Sequence, residues 1–135
     1  MKIKIIDFGG RTPKRAHFND AGADVYARTT TKISAGQTEK IPLGIGVCIP
    51  DGYVAFMTPR SGLSSKGIVC AFGTIDSGYR GEMSASISNL SGAPYVVHEG
   101  DRIAQLVICP IAIADFDSDD QEDTRGANGF GSTGA

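Results

Sequence analysis

Histidine and cysteine are scarce in this chain: two histidines and three cysteines among 135 residues leave little from which to build a metal cage. His17 and His98 lack the spacing of a zinc site and read as loop residues. Cys48, Cys70 and Cys109 are odd in number, widely separated and set in apolar runs, so they read as small core residues in a reducing compartment rather than as a disulfide set. Long apolar runs are absent too. The longest, around residues 103–114, is interrupted by Gln105 and Pro110, and the N-terminus has no apolar core of signal-peptide length. The expectation is a soluble, intracellular, cytoplasmic protein with no membrane contact. Excess positive charge is missing as well. Thirteen basic against fifteen acidic residues give a formal charge of −2, which argues against a duplex nucleic-acid binder, since such proteins neutralise phosphates with Lys and Arg. Local basic residues can still grip a small anion.

What the chain does have is glycine, eighteen in all, with six prolines at short intervals. That favours many short strands joined by turns, an all-β single domain large enough to bury a continuous core. The opening residues 1–8 alternate Lys2, Ile3, Lys4, Ile5 as a half-buried strand should. Residues 40–49 read as extended, broken by glycines, and Pro50-Asp51-Gly52 reads as a tight turn into a returning strand at 53–57. Further strand signals lie at 95–97 and 102–110. Residues 115–123 carry six acidic side chains and read as a solvated linker. The last twelve residues, 124–135, place one Phe among four glycines and read as a free arm.

Four stretches within residues 20–106 carry chemistry. Asp20-Ala-Gly-Ala-Asp24 sets two carboxylates four apart across a glycine, a pair able to organise waters around a divalent metal. Pro59-Arg60-Ser61-Gly62-Leu63 offers a guanidinium, a hydroxyl and accessible backbone amides, which are phosphate ligands; by itself it also reads as a surface turn with a capping serine. It is not a P-loop, because no Walker pattern is present. Gly73-Thr-Ile-Asp76-Ser-Gly-Tyr79-Arg-Gly-Glu82 sets one carboxylate and one ring three residues apart in what reads as a hairpin between strands at 68–72 and 83–88. Taken alone, Asp76 is a turn former. Gln105 is the one polar residue in an apolar strand and needs a partner, either backbone or ligand. In the tail, Phe130 with Arg125, Ser132 and Thr133 could close over a nucleotide.

These stretches, with Arg102-Ile-Ala-Gln105-Leu106 and Arg125-Gly-Ala-Asn-Gly-Phe130-Gly131-Ser132-Thr133-Gly134, resemble in order and spacing the five motifs of the trimeric deoxyuridine triphosphate nucleotidohydrolases (dUTPases). A single motif is weak; five in sequence over residues 20–134 are specific. The resemblance implies a distorted jelly-roll-like β-barrel over residues 1–114, followed by the linker and a swapped C-terminal lid arm. It also implies a homotrimer with active sites at subunit boundaries, and hydrolysis of dUTP to dUMP and pyrophosphate with Mg²⁺. It assigns Asp76 as the base that orients the attacking water; an aspartate is a weak base, so placement matters most. Tyr79 would pack on the deoxyribose and exclude a 2′-hydroxyl, with backbone near residues 70–75, including Gly73, reading uracil. Arg60, Ser61, Gly62 and Gln105 would contact the triphosphate, and Asp24 would meet the metal only through water. Phe130 would stack on uracil while Arg125, Gly131, Ser132 and Thr133 hold the γ-phosphate. Ala23 and the bulky Cys70-Ala71-Phe72-Gly73 approach depart from the family's usual residues and alter the uracil pocket rather than the chemistry. A deoxycytidine triphosphate deaminase shares the fold, but it needs a glutamate shuttle and lacks the Phe-Gly-Ser-Thr arm. A regulatory role of the same fold in addition to hydrolysis is compatible with the sequence.

Overall fold

The computed structural model describes residues 1–118; the arm residues Arg125, Phe130, Gly131, Ser132 and Thr133, and the linker from residue 119 on, lie outside them. Eleven strands and one helical turn are present among the described residues, so the all-β expectation holds. The strands are short and Gly-punctuated, and they pair antiparallel throughout.

One sheet of four strands runs in the order β2 (Gly22–Tyr26), β11 (Arg102–Pro110), β6 (Tyr53–Thr58), β8 (Gly73–Ile75). A second sheet of three runs β4 (Thr38–Pro42), β9 (Ser84–Asn89), β7 (Ile68–Cys70). Two ribbons, β1 (Lys4–Asp7) with β5 (Ile45–Cys48), and β3 (Thr31–Ile33) with β10 (Tyr95–Val97), complete the structure. Because successive side chains on a strand point to opposite faces, β9 turns Ala85, Ile87 and Asn89 inward and Ser84, Ser86 and Ser88 outward. Val25, Ile33, Ile41, Leu43, Ile45, Ile68, Ile87 and Ile103 meet in one apolar core, which supplies most of the driving force for folding.

Among the described residues Asn89 is the one polar side chain buried in that interior, with none of its surface exposed. Its amide donates to the Ile33 carbonyl at 2.9 Å and the Ala93 carbonyl at 2.8 Å, and its oxygen accepts from the Ser91 amide at 3.0 Å and hydroxyl at 2.6 Å. One side chain thus ties the end of β9 to β3 and to the loop after β9. Among the described residues no buried side-chain nitrogen or oxygen lacks a partner.

The hairpin expected around Asp76 takes a different form. β7 and β9 do pair, Cys70 opposite Ile87, but the chain between them does not simply reverse. Residues 73–75 leave that sheet and add to the edge of the four-stranded one as β8, with Gly73 opposite Met57. The physical reason is burial: this pairing carries Ile75 into the core, only 9% exposed, where a plain turn would leave it in water. The Asp76 turn therefore sits where the two sheets part.

Candidate active site

Asp76 lies just past the end of β8, on a turn closed by the Tyr79 amide donating to the Asp76 carbonyl at 3.1 Å. The Tyr79 ring is half exposed and held by its hydroxyl, which donates to the Glu82 carbonyl at 2.8 Å. Gly81 makes this possible, since a Cβ there would stand 2.6 Å from the Tyr79 oxygen. Ser77 anchors the turn from the other side, donating to the Asp51 carboxylate at 2.9 Å. Asp51 belongs to the Pro50–Gly52 turn, whose Gly52 carbonyl accepts the Ile111 amide at 2.9 Å.

Glu82, quoted in the sequence motif without a role, is a structural anchor. Its carboxylate accepts the Gly44 amide at 2.8 Å and faces the Arg28 guanidinium at 3.3 Å. Gly44 must be glycine twice over: its φ is +73°, and a Cβ there would stand 2.5 Å from Gly10 Cα. The motif's final acid thus pins the loop that follows β4, which no local pattern announces.

Asp76, Tyr79 and Gly73 line one cavity of about 330 Å³, together with Met57, Phe72, Thr74, Glu82, Ser84, Ser86 and Lys40. Sequence reasoning did not anticipate Lys40, Met57 or the two serines, which arrive from β4, β6 and β9. Arg60, Ser61, Gly62, Gln105 and Asp24 line a second cavity of about 350 Å³, with Asp20, Gly22 and Arg102. The two cavities share no lining residue. Within the single chain the structure therefore gathers the predicted phosphate contacts in one place and the predicted base, sugar and catalytic contacts in another.

The second cavity is built by strand register. Gln105 stands opposite Asp24 on one side and Thr58 on the other, so the three share a face, while Met57 and Leu106 in the next row point into the core. A register shift between Arg102 and Ala104 buries both Ile103 and Ala104 and swings Arg102 to the rim. Arg60 donates to the Asp24 carboxylate at 3.1 Å and to the Arg102 carbonyl at 3.2 Å, and Arg102 faces the other Asp24 oxygen at 3.8 Å. Both guanidiniums are thereby fixed in place with N–H groups to spare, the arrangement that recognises phosphate oxygens. The Gln105 amide donates to the Pro59 carbonyl at 3.2 Å, so its need for a partner is met by backbone. Gly22 leaves room for it: a Cβ there would stand 2.0 Å from the Gln105 oxygen. After Arg60 comes the single helical turn α1 (Ser61–Ser64), whose first amides have no side-chain cap.

A protein-built metal cage does not fit. Among the described residues no three His, Cys, Asp or Glu side chains converge on a point that could hold a metal ion. Asp24 is engaged by two guanidiniums, and the Asp20 carboxylate accepts the His17 amide at 2.9 Å. The acids present suit an ion that arrives on phosphate oxygens and keeps its water, as Mg²⁺ does. Cys70, on the strand leading to the first cavity, is not a nucleophile: burial pushes its thiol up to about 11. Among the described residues no helix is long and apolar enough to cross a membrane.

Comparison with known proteins identifies the family. The family model described as dUTPase matches residues 10–134. The deoxyuridine 5'-triphosphate nucleotidohydrolase of Leifsonia xyli is 43% identical over 138 residues, spanning 98% of this chain and 91% of that protein. That of Corynebacterium glutamicum is 44% identical over 140 residues, spanning 99% and 94%. Among solved structures, a Staphylococcus bacteriophage 80alpha dUTPase mutant with dUpNHpp superposes with a TM-score of 0.89 at 29% identity, covering 99% of each chain. A mutant dUTPase from phage phi11 of S. aureus, described with a structural Mg(II) ion, gives 0.85 at 29% identity over 90% of this chain and 98% of that one. With a family match across nearly its whole length and relatives above 40% identity, the chain belongs to the dUTPase family.

Proposed function

We propose that this protein hydrolyses dUTP to dUMP and pyrophosphate, at a site that joins the Asp76 cavity of one copy to the Arg60 and Gln105 cavity of the next in a homotrimer. The observation that carries this is the division of the predicted ligand contacts between two cavities with no wall in common. One ligand needs both sets, and a second copy supplies the missing one. The activity for which the relatives are named and the dUpNHpp bound to a structural neighbour support the choice of substrate.

In this reading uracil and deoxyribose enter the first cavity, the ring of Tyr79 packing on the sugar. Gly73 and its neighbouring backbone supply donors and acceptors for the base. Mismatched polar edges left unpaired there cost more than a lost methyl contact, so cytosine is rejected by hydrogen bonding rather than by size. The exposed Asp76 carboxylate holds a water in line with the α-phosphorus and takes its proton as the new P–O bond forms and pyrophosphate leaves. Arg60, Ser61, Gly62 and Gln105 orient the triphosphate from the second cavity. Mg²⁺, bound through phosphate and water with Asp24 and Asp20 at its outer shell, would offset the charge on the leaving pyrophosphate. Arg125, Phe130, Gly131, Ser132 and Thr133 complete the cover as a lid. The cytoplasm, where nucleotide pools are metabolised, is the proposed location, and no direct nucleic-acid binding is part of this reading.

The test is pyrophosphate release from dUTP, dTTP, dCTP and UTP with Mg²⁺. dUTP is expected to be the strongly preferred substrate, and Asp76→Asn should still bind it while turning over about two to four orders of magnitude more slowly. Ammonia release from dCTP without pyrophosphate would make the protein a deaminase instead.

A further inference from the structure

Phe72 is an exposed aromatic, and the structure gives it a place beside the Asp76 carboxylate. It lines the Asp76 cavity while 63% of its surface faces solvent. A single exposed apolar ring is ordinary on its own, and its position on the cavity lining is what gives this one meaning. Phe18, Leu90, Ile113 and Phe116 are more exposed still, yet none of them lines that cavity. Phe72 is also not loose: its ring lies against Phe56 on β6, with centroids 5.1 Å apart and planes tilted by 37°. Two anchored aromatic residues therefore border the cavity, Tyr79 tied through its hydroxyl and Phe72 braced by Phe56. A deoxynucleoside likewise has two parts with apolar faces, sugar and base. Rings already held in position lose little freedom on contact, so most of the stacking energy appears as affinity.

We infer that Phe72 is a base-stacking residue, forming the aromatic wall against which the pyrimidine lies and setting this chain's affinity for the nucleoside. The inference rests on the proposed function, because it needs the pyrimidine in the Asp76 cavity. Phe56 is then a positioning residue that keeps the Phe72 ring at the wall.

The experiment measures dUTP hydrolysis and dUMP binding by Phe72→Ala, Phe72→Leu, Phe72→Tyr and Phe72→Trp, with sedimentation of each variant. Removing a stacking ring weakens binding by about 5- to 100-fold. Phe72→Ala should raise both KM for dUTP and Kd for dUMP in that range while kcat stays within about twofold. Phe72→Leu, apolar but without a flat face, should be nearly as weak, and Phe72→Tyr should restore binding. The chain has no tryptophan, so Phe72→Trp introduces a single reporter, whose fluorescence should change with dUMP and not with pyrophosphate. Wild-type Kd in Phe72→Ala or Phe72→Leu would overturn the inference and leave the proposed function standing. Weaker binding accompanied by a changed sedimentation coefficient would overturn it by placing the ring in subunit packing. A wild-type protein that releases no pyrophosphate from dUTP would overturn the proposed function and this inference with it.

Discussion

Replacing Asn89 with alanine removes four hydrogen bonds from a side chain with no exposed surface. The loss is not four times a single bond, because the surroundings can recover part of it. Released from the Asn89 oxygen, the one Ser91 hydroxyl hydrogen can turn to the Ala93 carbonyl 3.0 Å away, so those two groups stay paired. The buried Ile33 carbonyl loses the Asn89 amide, which costs about 1–3 kcal/mol, and the part-buried Ser91 amide loses its acceptor at a smaller cost. A small void adds to that. The expected destabilisation is therefore about 3 kcal/mol, a large share of a typical domain's stability. Urea unfolding, with protein concentration held fixed because assembly contributes, measures it. Asn89→Asp keeps the shape but sets a carboxylate against the two carbonyls that the amide had served, and should be at least as damaging at neutral pH. A loss below about 1 kcal/mol in Asn89→Ala would show that the four bonds are worth no more than their exchange with water, and would refute this account of the buried network.

Gly22→Ala places a methyl 2.0 Å from the Gln105 oxygen and 2.8 Å from its amide carbon, so the amide must leave the Pro59 carbonyl while the backbone stays. The expected result is a folded protein with kcat/KM for dUTP down roughly 10- to 100-fold, matching Gln105→Ala; unchanged kcat/KM would detach Gln105 from the triphosphate. For Cys70 the sign follows from the order of titration. The unfolded thiol, near 9.0, loses its proton first as pH rises, while the folded one holds it to about 11. The stability it contributes is whole below that window and is lost as pH climbs through it. Urea midpoints across the window should fall more steeply for the wild type than for Cys70→Ala, and equal slopes would contradict the burial argument.

The strands at 53–57, 95–97 and 102–110 were legible because alternation and β-branched runs are local signals, and they match β6, β10 and β11 closely. β8 was not, because Gly73-Thr74-Ile75 sits inside what reads as a turn motif, and its partner β6 lies at least sixteen positions away and also pairs with β11. The same limit applies to Asn89, a buried hub that no neighbouring residue announces. At the site, residue types pointed to phosphate and to a carboxylate beside a ring, since those chemistries depend on what a side chain is. The partnership of Arg60 with Asp24, the anchoring of Gly44 by Glu82 and the separation into two cavities depend on register and long-range pairing. None of these leaves a trace in neighbouring residues.

The parting of the binding groups between two walls has a genetic meaning under the proposed assembly. A polypeptide spoiled only at Asp76 still lends sound arginines to its neighbour, and one spoiled only at Gln105 still lends a sound carboxylate. Mixed rings of the two would regain some fully working junctions although each parent is impaired, so harmful alleles of opposite kind would partly mask one another in a cell that makes both.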